Sequence, residues 1–351
     1  MRLLATLALT VLLWSQAAQA VVVEDLHRAL VPVADHSPSA LNRATSAGLA
    51  QVFIKTSGDP AVLDNPVLQQ SLESASDYMQ RYRYLRAEED DSLLLQVHFD
   101  PQLVNDLLLE ARAPLWTANR PPLLVWLVVD DGTGRRLASA ETDPALFERL
   151  ALELERRGVP AVYPLYDLQD TLALDVHQLW RMDELAIFGA SRRYGVANVL
   201  AARVTALPGE RWMGDWVYLH NQESSAASFY GEAAPVFSAN MVDFVANRMA
   251  ERYAVAAGAS QGQEVLVRVD AVGDFAEYQR VLRLFRDVEL VDDVWPAYLE
   301  GESVVFRLSA QAEPEQLDRI VSLSRRLERV EAAQPLRRGP INLDLVYRWN
   351  Q

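Results

Sequence analysis

Residues Gly258-Ala259-Ser260-Gln261-Gly262 spell G-x-S-x-G, the pattern of a nucleophile elbow. In that role the serine stands between a strand and a helix, with an acid and then a histidine downstream. Here a helical pattern precedes it, a strand pattern follows, and no histidine occurs after His220. The stretch therefore reads as a linker. The histidines are His27, His36, His98, His177 and His220, and none pairs at the i,i+4 spacing of a zinc-binding helix. His177 stands beside Asp175 and could act as a base, but no nucleophile accompanies it. Adjacent acids occur at Asp130-Asp131 and Asp292-Asp293. Glycosidic cleavage needs two carboxyls about 5–10 Å apart across a sugar. Neighbours in a strand point to opposite faces, so each pair reads as a turn or a solvated edge. The acidic run Glu88 to Asp91 lacks the alternate spacing and turn glycine of a calcium loop. It reads as a hairpin tip. No cysteine is present, which excludes disulfides, thiolate metal sites and a cysteine nucleophile. Lys55 is the only lysine, so amine-based covalent chemistry is confined to one position, which looks exposed. Neither a phosphate-binding loop nor a dinucleotide glycine fingerprint occurs. No catalytic set, cofactor site or metal site is expected.

Bulk properties narrow the classes further. The chain has 351 residues, 50% hydrophobic and 23% charged, with a formal net charge of -15. That length suits two or three domains, each with its own core. An acidic chain is poorly matched to nucleic acid, whose binding rests on cations that neutralise phosphates. The same reasoning counts against an anionic lipid surface. Residues 1–20 have the form of a secretory signal peptide: Arg2, an apolar run from Leu3 to Trp14, and Ala18-Gln19-Ala20 as the cleavage site. Twelve helical residues rise only about 18 Å, too short for a hydrocarbon core of about 30 Å. The mature chain is expected to start at Val21, in the periplasm or outside the cell, with no lipid-attachment cysteine and no later transmembrane helix.

Three modules must position whatever chemistry there is. Residues 21–116 read β-α-α-β-β-α, with helix starts at Ser37-Pro38, Asn65-Pro66 and Asp100-Pro101. In each, a polar cap precedes a proline whose missing N–H costs nothing at a first helical position. Pro114 to Pro122 holds three prolines and no period, and reads as a linker. Residues 123–258 alternate strands and helices, an α/β pattern with a mixed sheet. Leu123 to Val129 is a buried strand, and a helix runs from Asp143-Pro144 to Gly158. Within this module, Asp183 to Gly231 reads as a helix stopped at Gly195, a buried strand from Val199 to Leu207, a Pro208-Gly209 turn and a returning strand. Period-two alternation places Trp212, Trp216 and Tyr218 on one face of that strand. The face is either covered by the helix that follows, from Pro235 to Tyr253, or a ligand surface. Ala254 to Gln263 reads as a second linker. Residues 264–351 read β-α-β-β-α-β, a ferredoxin-like split unit, with one more strand possible at Leu343 to Trp349. Such folds host many activities.

Several segments carry a resemblance: Ser57-Gly58-Asp59-Pro60-Ala61-Val62-Leu63, Val97-His98-Phe99-Asp100-Pro101, the run Pro114 to Pro121, Tyr194 to Leu200, and the Trp212/Trp216 pair. With these the mature chain resembles a family of secreted proteins of Gram-negative bacteria known only as a domain of unknown function, the "two-zero-six-six" family. That resemblance implies a location and no activity. A likeness over Ser191 to Trp216 is similar to envelope lipoproteins of the curli-secretion and peptidoglycan-synthase-activator type, which are assembly and regulatory factors. The expectation is a non-enzymatic binding or assembly factor that meets an envelope protein. Trp116, Arg120, Trp212, Trp216 and Tyr218 form the candidate contact surface. The alternative is a hydrolase of an envelope polymer, with Asp130 or Asp175 and His177 converging in a cleft.

Overall fold

The computed structural model describes residues 21–87, 91–209, 211–221, 223–256, 263–324, 326–330 and 343–350. Residues 1–20, read above as a signal peptide, the G-x-S-x-G stretch and residues 88–90 of the acidic run lie outside the described residues. The N-terminal module comprises β1 (Val21–Val22), β2 (Arg28–Pro32), α1 (Pro38–Ser57), α2 (Pro66–Glu73), β3 (Met79–Arg86), β4 (Leu93–Phe99) and α3 (Pro101–Glu110). Its antiparallel sheet has the order β2-β4-β3. The caps act as their residue types require. Ser37 accepts from the Ala40 N–H, Asn65 from Val67, and Asp100 from Gln102 and Leu103.

The proline-rich segment 114–122 is not an exposed linker. It forms β5 (Pro114–Leu115) and β6 (Asn119–Arg120), and residues 115–117 and 120–122 are buried. β6 pairs with β1 at the start of the described chain. The segment is here called the strap.

The middle module follows as β7 (Leu123–Asp130), β8 (Arg135–Leu137), α4 (Pro144–Arg157), β9 (Ala161–Val162), α5 (Leu168–Ala173), α6 (Val176–Trp180), α7 (Glu184–Ser191), β10 (Asn198–Leu207), β11 (Arg211–His220), β12 (Glu223–Ala233), α8 (Ala234–Tyr253) and β13 (Val255–Ala256). The sheet order is β12-β11-β10-β7-β8, with β9 also on β7. β7 and β10 run parallel and β10 and β11 antiparallel, so the sheet is mixed. Leu123, Val125 and Leu127 face α4 and α8, while Leu124, Trp126 and Val128 face α6 and α7. Burial on both faces is why β7 is an unbroken apolar run. β13 pairs antiparallel with β5 of the strap.

The C-terminal module contains β14 (Gln263–Asp270), α9 (Phe275–Arg286), β15 (Val291–Glu300), β16 (Ser303–Ala310), α10 (Pro314–Ser322), β17 (Leu327–Arg329) and β18 (Leu345–Trp349). Its sheet order is β15-β16-β14-β18-β17. The β-α-β-β-α-β core is present, with β18 inserted parallel to β14 between the first and fourth strand positions. Buried apolar residues of the first and last modules form one continuous cluster that includes Leu115 and Val255.

Candidate functional site

Four of the five residues expected at a contact surface are interior. Arg120 is fully buried and commits all five of its N–H groups to main-chain oxygens. Its Nε donates to Thr117 O (3.0 Å), Nη1 to Arg157 O (3.0 Å) and Gly158 O (2.8 Å), and Nη2 to Lys55 O (2.7 Å) and Trp116 O (2.8 Å). The guanidinium also lies 3.8 Å from the centre of the Trp116 ring. The C-terminal ends of α1 and α4 thus meet on one cation, which complements their exposed carbonyls. Gly158 must be glycine there. Its φ is +64°, and a Cβ would stand 2.7 Å from Arg120 Nη1. Burial lowers the Arg120 pKa to about 9, with Glu289 opposing the change and Arg157 adding to it.

Trp216 stacks on Phe229 at 4.7 Å and meets Phe237 of α8 edge-on at 5.1 Å. Tyr218 is buried too, and Trp212 is half-buried against Phe237. The aromatic row is therefore the sheet face covered by α8, and as a contact surface it is corrected. Large indoles at period two fill the sheet–helix interior because burial of their area is what makes them stabilising.

The alternative acids are not gathered. Asp130 accepts from Gly132 N–H and pairs with Arg135. Asp175 accepts from His177 and Gln178 N–H groups as the cap of α6. Among the described residues, no hydrogen bond or ion pair joins the side chains of Asp130, Asp175 and His177. Lys55 is buried rather than exposed. Its Nζ donates to Arg28 O (2.8 Å), and burial lowers its pKa to about 8.

What the surface does present is an apolar face on α5, α7 and the loop that leads into α5. Leu165, Leu168, Leu172 and Leu185 are between 70% and 86% exposed, and Phe188 is 41% exposed. The opposite side of α7 is anchored. Ile187 and Ala190 are buried on the sheet, and Ser191 Oγ accepts from Trp126 Nε1 (3.0 Å). α5 is fixed by a buried carboxylate. Asp170 accepts from Arg193 Nη1 (2.8 Å), from Tyr194 OH (2.5 Å) and from Tyr166 N–H (2.8 Å). Arg193 also forks onto Asp167, and those hydrogen bonds hold the Asp167 carboxyl down at about 2. Burial and the Asp170 carboxylate push the Tyr194 hydroxyl up to about 12. The leucines are therefore held out from a rigid base. A helix apolar on all sides is ordinarily interior, and exposed apolar patches of this kind mark contact sites. Sequence periodicity shows the Ile187, Ala190 and Tyr194 stripe but not the second stripe that faces outward.

A second polar arrangement also escaped the sequence. Asn198 Oδ1, fully buried, lies 2.7 Å from Tyr218 OH, 3.0 Å from His220 Nδ1 and 3.2 Å from Tyr253 OH. Burial lowers the His220 pKa, with Arg252 acting in the same direction. The cluster fastens β10, β11 and α8 together through Asn198 Oδ1, while Asn198 Nδ2 is buried without a hydrogen-bond partner among the described residues.

Residues 20–117 match a family described as a domain of unknown function (DUF8605). No curated protein matches the chain. A similar solved structure is a formyltetrahydrofolate deformylase from Pseudomonas putida KT2440, at 12% identity, covering 55% of this chain and 91% of that one, with a TM-score of 0.17. A likeness at that score carries no argument. No helix among the described residues is long and apolar enough to cross a membrane.

Proposed function

We propose that this chain is a non-enzymatic binding or assembly factor of the cell envelope, which docks an apolar, basic segment of a partner protein on the outer face of α5 and α7. The observation that carries this reading is the patch of exposed leucines held on a rigid base. Of the five carboxylates in residues 165–188, Asp170 is buried and Asp167 is paired with Arg193, which leaves Asp175, Asp183 and Glu184 for the rim, with Arg181 the one arginine of that stretch. An apolar centre with an acidic rim suits an amphipathic helix bearing Lys or Arg, and it disfavours an anionic bilayer. Export after cleavage behind Ala20, and membership of the secreted Gram-negative "two-zero-six-six" family, belong to the same proposal.

The test uses two labelled helical peptides, one of alternating Leu and Lys character and one of Leu and Glu. Fluorescence anisotropy should show the basic peptide bound and the acidic one not. The Leu168→Glu/Leu172→Glu variant should weaken that binding tenfold or more. Equal binding of both peptides, or binding unchanged by the variant, overturns the reading. A wild-type dimer in sedimentation equilibrium that the variant dissociates would assign the patch to a second copy instead. Intact-mass measurement of protein from cells should give a chain that begins at Val21, and an uncleaved leader would count against export.

A further inference from the structure

A cleft of about 550 Å³ lies between the strap and the two helices of the C-terminal module. Val22 of β1 lines one side, and Leu284, Val288 and Ile320 line the other. Two hydrogen bonds stitch the walls together. Ala118 N–H donates to Glu289 Oε1 (2.7 Å), and Asn119 Nδ2 donates to Ile320 O (3.1 Å). The strap is therefore a fixed wall rather than a loose cover. The volume falls within the range of small-molecule sites, about 300–1,000 Å³, which commonly form where modules meet.

The polar lining is lopsided. Arg280, Arg283 and Arg326 stand against Asp287 and Glu289. Arg280 already has Glu277 at 3.6 Å. Arg283 donates only to Gln279 O of its own helix (3.3 Å), and neither it nor Arg326 has a carboxylate partner among the described residues. Of the two acids, Glu289 is turned to the Ala118 N–H, and burial raises its pKa. Two guanidinium groups without a carboxylate partner among the described residues, beside an apolar wall, are a fork for a carboxylate or phosphate head next to a dry seat for a hydrocarbon body.

We propose that this cleft binds a small amphipathic anion, with its head on Arg283 and Arg326 and its apolar body against Val22, Leu284, Val288 and Ile320. The site lies on a different module from the α5/α7 face, so it stands or falls separately from the docking reading.

Isothermal titration of the full mature chain tests it with three probes of one tail length: decanoate, decyl phosphate and decyltrimethylammonium. Decanoate or decyl phosphate should bind at one site per chain, and the one that binds more tightly identifies a carboxylate or a phosphate as the preferred head. The ammonium should not bind. Arg283→Glu/Arg326→Glu, at exposed positions, should weaken the anion at least tenfold, as expected for lost charge-assisted contacts. Val22→Trp, which narrows the mouth from β1, should weaken both anions alike. Leu168→Glu/Leu172→Glu should leave the titration unchanged. Absence of anion binding, equal binding of the ammonium, or an affinity unchanged in the double arginine variant would each overturn the proposal.

Discussion

Arg120 joins three stretches of chain through one side chain. The oxygens it satisfies belong to the end of α1, to the strap and to the end of α4. Arg120→Met would leave these carbonyls buried without donors. The expected loss is about 3 kcal/mol or more, read as a lower urea midpoint at unchanged slope. Arg120→Lys should recover only part, since an ammonium cannot reproduce the planar fork. Lys55 gives a prediction of opposite sign. Its pKa falls from the ordinary lysine value of 10.5 to about 8 in the fold. Between those values the unfolded chain holds the proton more tightly, so rising pH stabilises the fold. Below about 8 the whole cost is present, on the order of 3 kcal/mol. Lys55→Met should therefore gain about 1–2 kcal/mol at pH 7 after loss of the bond to Arg28 O. The gain should vanish by about pH 10.5. Urea series at the two pH values that show the same difference would remove Lys55 as its source. None of this was legible in the sequence. A lone lysine near a helix end looks solvated, and an arginine between prolines looks like a rim residue. Their burial comes from carbonyls contributed by residues tens of positions away.

Elements were far more legible than their faces. Caps and punctuation located starts and stops well: Pro144 to Gly158 for α4, and Ser37, Asn65 and Asp100 as caps. These signals are local, and so is the chemistry behind them. Which stripe of α5 and α7 turns inward depends on the sheet beneath, which the local pattern does not contain. Leu168→Glu/Leu172→Glu should change stability by no more than about 0.5 kcal/mol, because both side chains already lie in water. Asp170→Ala should cost about 1–3 kcal/mol, since it leaves Tyr194 OH and Tyr166 N–H without their buried acceptor. Hydrogen exchange should rise over residues 166–174 in that variant. Exchange that stays at the wild-type rate would show that α5 is held by apolar contacts alone.

Across the whole molecule, the joints between the three modules are not loose. Arg157 donates to Gly58 O (3.0 Å), Asn247 Oδ1 (2.8 Å) and Asp243 Oδ1 (2.6 Å), which ties α1 to α4 and α8. Urea unfolding followed by tryptophan fluorescence and by far-UV circular dichroism should give coincident transitions. Limited proteolysis should spare residues 114–122, and early cleavage there would restore the linker reading. Proline density misled because it reports missing N–H donors, not exposure. The position of β18 has a further consequence for how such a chain is made. Its partners, β14 and β17, keep open edges until residues 345–349 arrive. A nascent chain whose residues 345–349 still lie in the ribosomal tunnel cannot close that sheet, so this module locks only after they emerge. Truncation before Leu345 would reproduce that unfinished state permanently, with two unpaired strand edges available for aggregation.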